Sequence, residues 1–561
     1  MAKLNSETYR HLAIAALPLA TVCYALWYWA SSRAELADWY TRLCPFFYKA
    51  ETWRSAVFAP EVKSHGNAWC AAALAAAVAW AWSVSGKWPR AERPFHPDRQ
   101  RLIVWGTVAL AAVGLSLLAQ HRVRCAADEV FSAVNFAALP PFQTLSHYPL
   151  PNNHILFNLL NGTLSFGCGD LVLTGRLLSM LCYAAVLAAS WEFLKKHTQS
   201  AWLSTAALAA VAVQFPVWGF SGQARGYELL LLCSWGSIAT FLAYWSEQKP
   251  SALRLHALCN VAGMLTVPSY LYWWGGLGLA ALVLMLRAHR WDRLYLRASL
   301  AGASATLICY LPVLTFSGAA ALADNRYVRP GTGGPWYFLA HLNEQGYFNG
   351  LFSEWFGWPA SGPLMGAVCV LLPVLLLFFL KNTAPRRTLG ISYLALLAAF
   401  LLAAVLMRRF PFYRNLIAQG HLAVLLGVVA VAPLFRSRVA RSAFGAALLA
   451  WAGWSAFRNY ERMPGSLYYY PVNEYAEQAA QCKVAFEPQR TVFLDNECFY
   501  WDCVLRTRYA GLHLRIAHNR PAFDGQDYCI MPADSLPPAS AGVRYRKLER
   551  CGGEDVFERE E

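Results

Sequence analysis

The sequence predicts a polytopic, all-α membrane protein that ends in a small α/β domain. The chain has 561 residues, of which 57% are hydrophobic, and its mean hydropathy is +0.31. Only 14% of the residues are charged, whereas about a quarter are charged in soluble domains. Long uncharged segments recur up to residue 457, and the pattern changes from residue 458 onward. We therefore expect a transmembrane domain over residues 1–457 and a soluble extracytoplasmic domain over 458–561.

The apolar segments are long enough to cross a bilayer, which takes about twenty residues of helix. The first, 12–30, is expected to be a retained span, because only Lys3 and Arg10 precede it and no small-residue cleavage site follows. Basic loops flank the stretch 255–287, which requires an even number of crossings, so we divide it at Pro268–Tyr270. Thirteen spans are predicted, near residues 12–30, 68–85, 102–120, 170–193, 202–219, 227–245, 255–269, 270–287, 298–317, 363–381, 390–407, 416–434 and 441–457.

The net charge of +15 is concentrated in short connectors, which is typical of cytoplasmic loops and not of a nucleic-acid-binding surface. With these loops inside, the N-terminus lies inside and the tail lies outside. Most of the unusual polar residues then fall on the outer face, where we expect the chemistry. The predicted outer loops are 31–67, 121–169, 220–226, 318–362 and 408–415.

The outer loop 121–169 contains an acidic pair, Asp128-Glu129, shortly after the third predicted span. Solvated loop carboxylates are the simplest interpretation, but the following residues favour a binding site. Prolines stiffen the segment "YPLPNNH", and Asn152 or Asn153 is suited to cap the next helix. An amphipathic surface helix is an alternative for that helix, yet amide and imidazole groups without Lys or Arg suit a hydroxyl-rich ligand. The polar stripe at helical spacing consists of His154, Asn158 and Asn161.

Arginines also lie in the predicted outer loops, where the topology rule predicts few cations. For Arg408 and Arg409, side chains that extend from a helix end to the membrane surface are an open alternative. Arg225 and Arg414 stand in short connectors beside aromatic residues, in "ARGY" and "FPFYRN". Guanidinium groups there are suited to hold a phosphate at the outer leaflet. Together with the carboxylates, they indicate a lipid-phosphate leaving group and an acceptor that must lose a proton.

The tail alternates apolar and polar residues, as in "TVFLD" and "YCIMP", which predicts a small α/β domain or a mostly β one. Its five cysteines favour disulfides in an oxidising compartment, with Cys498 and Cys503 as the closest pair in sequence. Because five is odd, at least one thiol is left over. A zinc site is the alternative, although the paired CxxC spacing of zinc knuckles is absent from the sequence. The cysteines are Cys482, Cys498, Cys503, Cys529 and Cys551.

With these motifs the sequence resembles the GT-C glycosyltransferases, especially the branch of the lipid A aminoarabinose transferases and protein O-mannosyltransferases. Asp128-Glu129 matches the acidic motif of an early outer loop, and "PLPNNHILFNLL" is similar to its His-containing segment. An "ARxY"-like motif is matched by Ala224 to Tyr227, and "PFYRN" approximates a late "P-x-RY"-like element. The similarity covers most of residues 100–460. Three departures are that the acidic loop follows the third span and not the first, that Asn-His-Ile replaces His-Pro-Pro, and that Arg-Asn replaces Arg-Tyr.

The resemblance implies an integral membrane enzyme that moves a sugar from a polyprenyl-phosphate donor to a glycan, lipid or protein acceptor. It implies a bacterial-type inner membrane, with the site and the tail on the periplasmic or extracellular side. Asp128 is expected to be the general base, and a single carboxylate without a second one as nucleophile predicts inversion. Glu129 is expected to share that task, to orient the base, or to bind a divalent metal ion, and no further cofactor is implied. The donor phosphate is assigned to Arg225, Arg414 and Arg408, and the acceptor or sugar to Asn153, His154, Asn158 and Tyr227.

Two other classes of protein share the overall pattern. One is a transporter or flippase of lipid-linked saccharides, and the other is a non-catalytic subunit of a cell-envelope polymer assembly system. Transporters tend to place ionisable residues at mid-membrane. Here the predicted spans are nearly free of acids, and Arg176 is the main ionisable residue well inside one of them. The enzyme is therefore the favoured hypothesis.

Overall fold

A computed structural model describes most of the chain. The described residues are 6–43, 60–86, 98–123, 126–148, 152–165, 170–323, 334–341, 346–357, 370–376, 378, 383–465, 482–495, 498, 500–518, 523–538 and 542–560.

The described part of the chain is dominated by long apolar helices, which confirms the predicted fold class. Two further pairs of helices bend sharply, by 118° after Ala30 and by 71° after Ala212, and each pair makes one broken span if counted together. This gives eight to ten candidate spans, so the predicted number of thirteen is not confirmed. The eight unbroken candidates are Pro60–Ser85, Arg99–Arg122, Leu171–Thr198, Tyr227–Glu247, Pro268–Arg287, Arg293–Phe316, Ala384–Met407 and Tyr413–Leu434.

Three predicted spans account for the difference. The predicted span 363–381 lies mostly outside the described residues. Helix Ala252–Thr266 has only 15 residues, which is short for an ordinary crossing, although the chain breaks at Val267 and Pro268 where the division was predicted. Helix Arg438–Arg462 is 25 residues long but does not have the apolar composition of the eight candidates. It also continues past residue 457, where the sequence suggested that the transmembrane domain ends.

Of the remaining α-helices, Ser6–Ala30 is long, and the others have at most 12 residues. The other α-helices are Ser6–Ala30, Arg33–Leu43, Ala127–Ser132, Pro141–Ser146, Ile155–Ser165, Ala201–Ala212, Phe215–Ser221, Ala319–Ala323, Pro335–Ala340, Tyr347–Phe356 and Tyr500–Arg508. The apolar segment Pro268–Arg287 contains the α-helix Leu271–Arg287, and the segment Tyr413–Leu434 contains the α-helix Ile417–Val431. A π-helical turn spans Ala133–Ala137, and 3₁₀ turns span Pro268–Tyr270, Tyr413–Leu416, Ala432–Leu434, Met463–Gly465 and Ala510–Leu512.

The helical bundle turns apolar side chains both inward and outward. Leu110, Leu181 and Leu406 are 74%, 64% and 64% exposed, which is costly in water but suits contact with lipid tails. Inside, glycines let helices approach closely. At Gly276 an added Cβ would lie 2.7 Å from the Leu396 backbone, so this glycine is needed where helix Leu271–Arg287 crosses helix Ala384–Met407.

The described residues of the tail form a five-stranded mixed sheet, with the α-helix Tyr500–Arg508 between two of its strands. The strands are β1 (Thr491–Leu494), β2 (Arg515–His518), β3 (Tyr528–Pro532), β4 (Tyr545–Cys551) and β5 (Glu554–Arg559), in the order β2-β1-β3-β5-β4. Strand β1 pairs in parallel with β2 and β3, whereas β5 is antiparallel to β3 and β4. Helix Tyr500–Arg508 connects β1 to β2, as expected for a parallel crossover.

The tail contains a disulfide, but not the one that proximity in sequence favoured. Cys482 is bonded to Cys551, 69 residues away, whereas the Cys498 sulfur is not part of a disulfide. Cys503 is also disulfide-bonded, so its partner is not Cys498. The physical reason is that the two side chains face different surroundings. Cys498 packs into the core of the tail with Trp501, whereas Cys503 packs against the membrane domain. The predicted Cys498–Cys503 pair is therefore wrong.

Candidate active site

The acidic pair lies in the first turn of the short helix Ala127–Ser132, which continues directly into the π-helical turn Ala133–Ala137. Successive residues of a helix project about 100° apart, so the two carboxylates point in different directions. The side chain of Asp128 is 28% exposed, whereas Glu129 is completely buried. The sequence assigned the general base to Asp128 and left several roles open for Glu129, and the structure gives the two acids different environments.

Asp128 lies between two arginines from distant parts of the chain. Its Oδ2 atom is 3.6 Å from Arg225 Nη2 and 3.8 Å from Arg414 Nη1. Its Oδ1 atom accepts a hydrogen bond of 3.1 Å from the amide of Asn152. The three residues that carry the main catalytic and phosphate-binding assignments from the sequence are thus brought together in one place.

Arg225 is the inner of the two arginines and is only 1% exposed. Its Nη1 atom donates to the Asp128 carbonyl oxygen at 3.0 Å and to Ser132 Oγ at 2.7 Å. Its Nη2 atom donates to Asn152 Oδ1 at 3.3 Å. Through these hydrogen bonds, Arg225 fixes the positions of Asp128 and Asn152.

Arg414 is the outer arginine, with a side chain that is 17% exposed. It lies in the 3₁₀ turn Tyr413–Leu416, and its guanidinium carbon is 4.7 Å from the ring centre of Phe412. An aromatic ring at this distance orients a guanidinium group without neutralising it. Arg408 does not take part in the ion pairs of Asp128; it ends helix Ala384–Met407 in a left-handed conformation, with φ of 51°.

Tyr227 lies next to both arginines of the site, and His154 packs against Tyr227. The Tyr227 ring centre is 5.7 Å from the guanidinium carbon of Arg225 and 5.8 Å from that of Arg414, and the His154 ring meets it edge to face. The Gly226 amide donates to His154 Nδ1 at 2.8 Å. Burial, and then the positive charges of Arg225 and Arg414, hold the pKa of His154 well below its usual value. His154 is therefore a neutral acceptor at physiological pH.

The predicted substrate-binding amides have buried positions. Asn153 is fully buried and donates to the carbonyl oxygens of Thr144 and His147 at 2.9 and 2.8 Å. Asn158 is 1% exposed and donates to Asn153 Oδ1 at 3.1 Å. These contacts of Asn153 and Asn158 stabilise the segment that also carries Asn152. The amide that contacts Asp128 is that of Asn152.

Glu129 connects three elements beneath Asp128. Arg176 of helix Leu171–Thr198 binds both of its carboxylate oxygens, one through Nε at 3.0 Å. The amides of Ala126 and Ala224 also donate to it, each at 2.9 Å. Four donors satisfy this carboxylate, so it is not placed to remove a proton from a substrate.

A metal ion does not fit between Asp128 and Glu129, because Glu129 is already bound by Arg176 and two backbone amides. Among the described residues, one group of His, Cys, Asp or Glu side chains is close enough to hold an ion: Cys482, Glu549 and Cys551. Its two cysteines are joined as a disulfide, so they offer no thiolate to zinc or any other metal.

Three residues of the site were not assigned from the sequence. Arg176 had a usable signal, because a buried cation near the outer end of a span requires a carboxylate partner, and Asp128-Glu129 was the nearest acidic motif. Asn152 shared its signal with Asn153, and backbone direction alone decides which of the two faces Asp128. Ser132, four residues after Asp128, has no distinguishing signal.

Comparisons with known proteins follow this geometry. No protein-family model matches the sequence, and no curated protein is found as a relative. Among solved structures, ArnT from Cupriavidus metallidurans bound to undecaprenyl phosphate is 13% identical, with a TM-score of 0.44, covering 82% of this chain and 98% of that one. Its apo state is also 13% identical, with a TM-score of 0.45, covering 81% and 97%.

Arabinosyltransferase EmbB from Mycobacterium smegmatis is 11% identical, with a TM-score of 0.39. The match covers 86% of this chain but only 49% of EmbB.

Proposed function

We propose that this protein is a membrane glycosyltransferase that moves a sugar from a polyprenyl-phosphate donor to an acceptor on the outer face of the membrane. One observation supports the proposal above the others: a partly exposed carboxylate, Asp128, lies between two arginines in a bundle of apolar helices. A carboxylate can accept a proton, and an adjacent guanidinium can hold a phosphate, so both halves of a displacement from a phosphate carrier are provided.

The proposed reaction is a direct displacement at the anomeric carbon. The acceptor hydroxyl or amine gives its proton to Asp128 while its oxygen or nitrogen forms a bond to that carbon. The bond from the carbon to the phosphate oxygen breaks, and its electron pair leaves on the prenyl phosphate. Because attack and departure occur on opposite sides, the configuration inverts. This step consumes no metal ion or other co-reactant.

Arg414 is the arginine assigned to the donor phosphate. It is the more exposed of the two, and its contact with Asp128 at 3.8 Å is longer than a hydrogen bond, so a phosphate can take up a closer position. The negative charge on the phosphate grows as the bond breaks, which makes a fixed cation more effective in the transition state than in the ground state. Arg225 supports the reaction by holding Asp128 and Asn152.

The proposed setting is a bacterial-type inner membrane, with the site and the tail outside the cytoplasm. The clusters of basic residues in the predicted inner loops support this orientation. The acceptor is a glycan, a lipid or a protein, and the prenyl chain is assigned to the apolar surface of the spans. Glu129 is assigned to orienting the acidic helix.

The test is a transfer assay with purified protein in liposomes and a polyprenyl-phosphate sugar labelled in the sugar. We expect labelled acceptor and free prenyl phosphate to form in equal amounts. Arg414→Ala should lower both donor binding and turnover, because Arg414 meets the phosphate in both states. The matched control is Arg438→Ala, which changes an arginine of a predicted inner loop. Movement of the intact donor across the bilayer without transfer would instead identify a flippase.

A further inference from the structure

The tail packs directly against the helix that carries the acidic pair. Cys503 of helix Tyr500–Arg508 is completely buried and lies in one apolar cluster with Val130 and Val134. Val172, in the first turn of helix Leu171–Thr198, belongs to the same cluster. Three elements therefore meet at this point: the tail helix, the acidic helix Ala127–Ser132 and the outer end of helix Leu171–Thr198.

An ion pair crosses the same contact. Arg506 Nη1 of the tail is 2.6 Å from Asp170 Oδ2 of the membrane domain. The other side of the guanidinium binds Asp502, one turn earlier in the tail helix, whose carboxylate is fully buried. A planar guanidinium presents N–H donors on two sides and can therefore bind two carboxylates at once in a fixed geometry.

Asp170 connects the ion pair with Arg506 to helix Leu171–Thr198, because it is also the N-cap of that helix. Its Oδ1 atom accepts from the amides of Val172 and Leu173 at 2.9 and 3.0 Å, so Asp170 caps helix Leu171–Thr198 with one oxygen and binds Arg506 with the other. Arg176, less than two turns further along, binds Glu129. Glu129 in turn is adjacent to Asp128 and accepts from the Ala224 amide, next to Arg225.

We propose that Arg506 is a positioning residue of the active site, which fixes the acidic helix through Asp170, Arg176 and Glu129. This proposal rests on the proposed function for its kinetic consequence and adds the tail to the site. Within the described residues, the side-chain partners of Asp128 are Arg225, Arg414 and Asn152, none of which belongs to the tail. It holds the outer end of helix Leu171–Thr198, and that helix holds Glu129 and the orientation of its neighbour Asp128. Small displacements of a general base are costly, since a shift of about 1 Å can lower a rate by about 100-fold.

The main variant for the test is Asp170→Asn. Asparagine caps helices as well as aspartate, so the cap is retained, while the ion pair to Arg506 is lost. The pair of Arg506 with Asp502 inside the tail also stays intact. We expect kcat to fall about tenfold or more, while the binding constant for the prenyl-phosphate donor stays within twofold of wild type.

A second variant and a control complete the kinetic test. Arg506→Gln should lower kcat in the same way, and the double variant should be no worse than Arg506→Gln alone, because both changes break one contact. Arg546→Gln is the matched control: it breaks an exposed ion pair with Glu558 at 2.9 Å elsewhere in the tail, and it should leave kcat unchanged. If Arg506→Gln fails to fold, Asp170→Asn decides alone.

Amide hydrogen exchange gives a readout that does not require catalysis. Asp170→Asn should speed exchange in residues 126–137, and Arg546→Gln should not. If the wild-type protein transfers no sugar, the proposed function fails, but faster exchange in 126–137 would still support the positioning role. The proposal would be overturned if Asp170→Asn had the amide exchange rates and the kcat of the wild-type protein. It would also be overturned if this variant lost donor binding by the same factor as it lost kcat.

Discussion

At the scale of single residues, two adjacent carboxylates have different assignments because their surroundings differ. Asp128 keeps part of its surface open and meets its arginines at 3.6 and 3.8 Å, whereas Glu129 is enclosed by four donors. A base must be reachable by the acceptor, and a positioning group must not be. This difference of environment, and not residue type, assigns the roles.

We predict that Glu129→Gln destabilises the fold. The change removes the charge of Glu129 from its ion pair with Arg176, whose side chain is 12% exposed, and loss of one partner of a buried ion pair costs about 3–5 kcal/mol. Glu129→Gln with Arg176→Met should recover part of the loss. Thermal unfolding followed by intrinsic fluorescence measures this. Glu461→Gln is the control, since its pair with Arg122 is at the surface and is worth about 0–1 kcal/mol.

We also predict that His154 makes stability depend on pH. Its pKa in the fold lies well below the value of about 6.5 expected for the unfolded chain. Below pH 6.5 the unfolded state therefore binds a proton that the folded state does not, and stability falls by up to about 1.4 kcal/mol per pH unit. The melting temperature should drop less steeply between pH 6.5 and 5 in His154→Gln than in wild type. Identical slopes would contradict this, and the exposed His65→Gln serves as control.

At the scale of elements, the long helices were predictable and the short ones were not. Apolar length predicted the eight unbroken candidate spans, because a bilayer fixes the length of a crossing helix, and Pro268 predicted the break near Val267. The turns of helix Ala127–Ser132 and the π turn Ala133–Ala137 are too short to show a periodic pattern. Helical spacing also grouped His154 with Asn158 correctly on one helix face, but it could not tell that this face is buried inside the protein.

The disulfides of the tail can be tested by mass mapping. We predict a peptide linked through Cys482 and Cys551, and alkylation of Cys498 without reduction once the tail is unfolded. Closing a loop of this length is worth about 4 kcal/mol in the chain-entropy account, so Cys482→Ser with Cys551→Ser should make the tail easier to unfold in denaturant. A linked peptide that joins Cys498 to Cys503 would contradict the structure.

At the scale of the whole molecule, the site exists because helix packing brings three predicted outer loops together. Asp128, Arg225 and Arg414 were assigned from motif order and from their common side of the membrane, and both are readable from sequence. The distances between them were not readable, since they depend on how the helices that carry these loops pack. The contact of Arg506 with Asp170 depends likewise on where the tail docks, and periodicity carries no information about docking.

The orientation of the chain gives a prediction at this scale. We expect residues 458–561 to lie outside the cytoplasm, because the basic clusters place the predicted inner loops on the opposite side. A C-terminal reporter that is active only in the cytoplasm should be silent. A reporter that is active only outside, fused at the same position, should give signal. The reverse pair of results would place the tail, and the helix Tyr500–Arg508 with it, on the wrong side for the proposed reaction.

The central claim is that Asp128 removes the proton of the acceptor, and Asp128→Asn tests it most directly. Asparagine keeps the size and the contact with Asn152 but lacks the basic oxygen. Turnover should fall by about 10²–10⁴-fold, while donor binding, measured separately, should change little because Arg414 and the prenyl chain hold the donor. Asp98→Asn, which alters the exposed cap of helix Arg99–Arg122, should behave as wild type. Near-normal transfer by Asp128→Asn would contradict the mechanism.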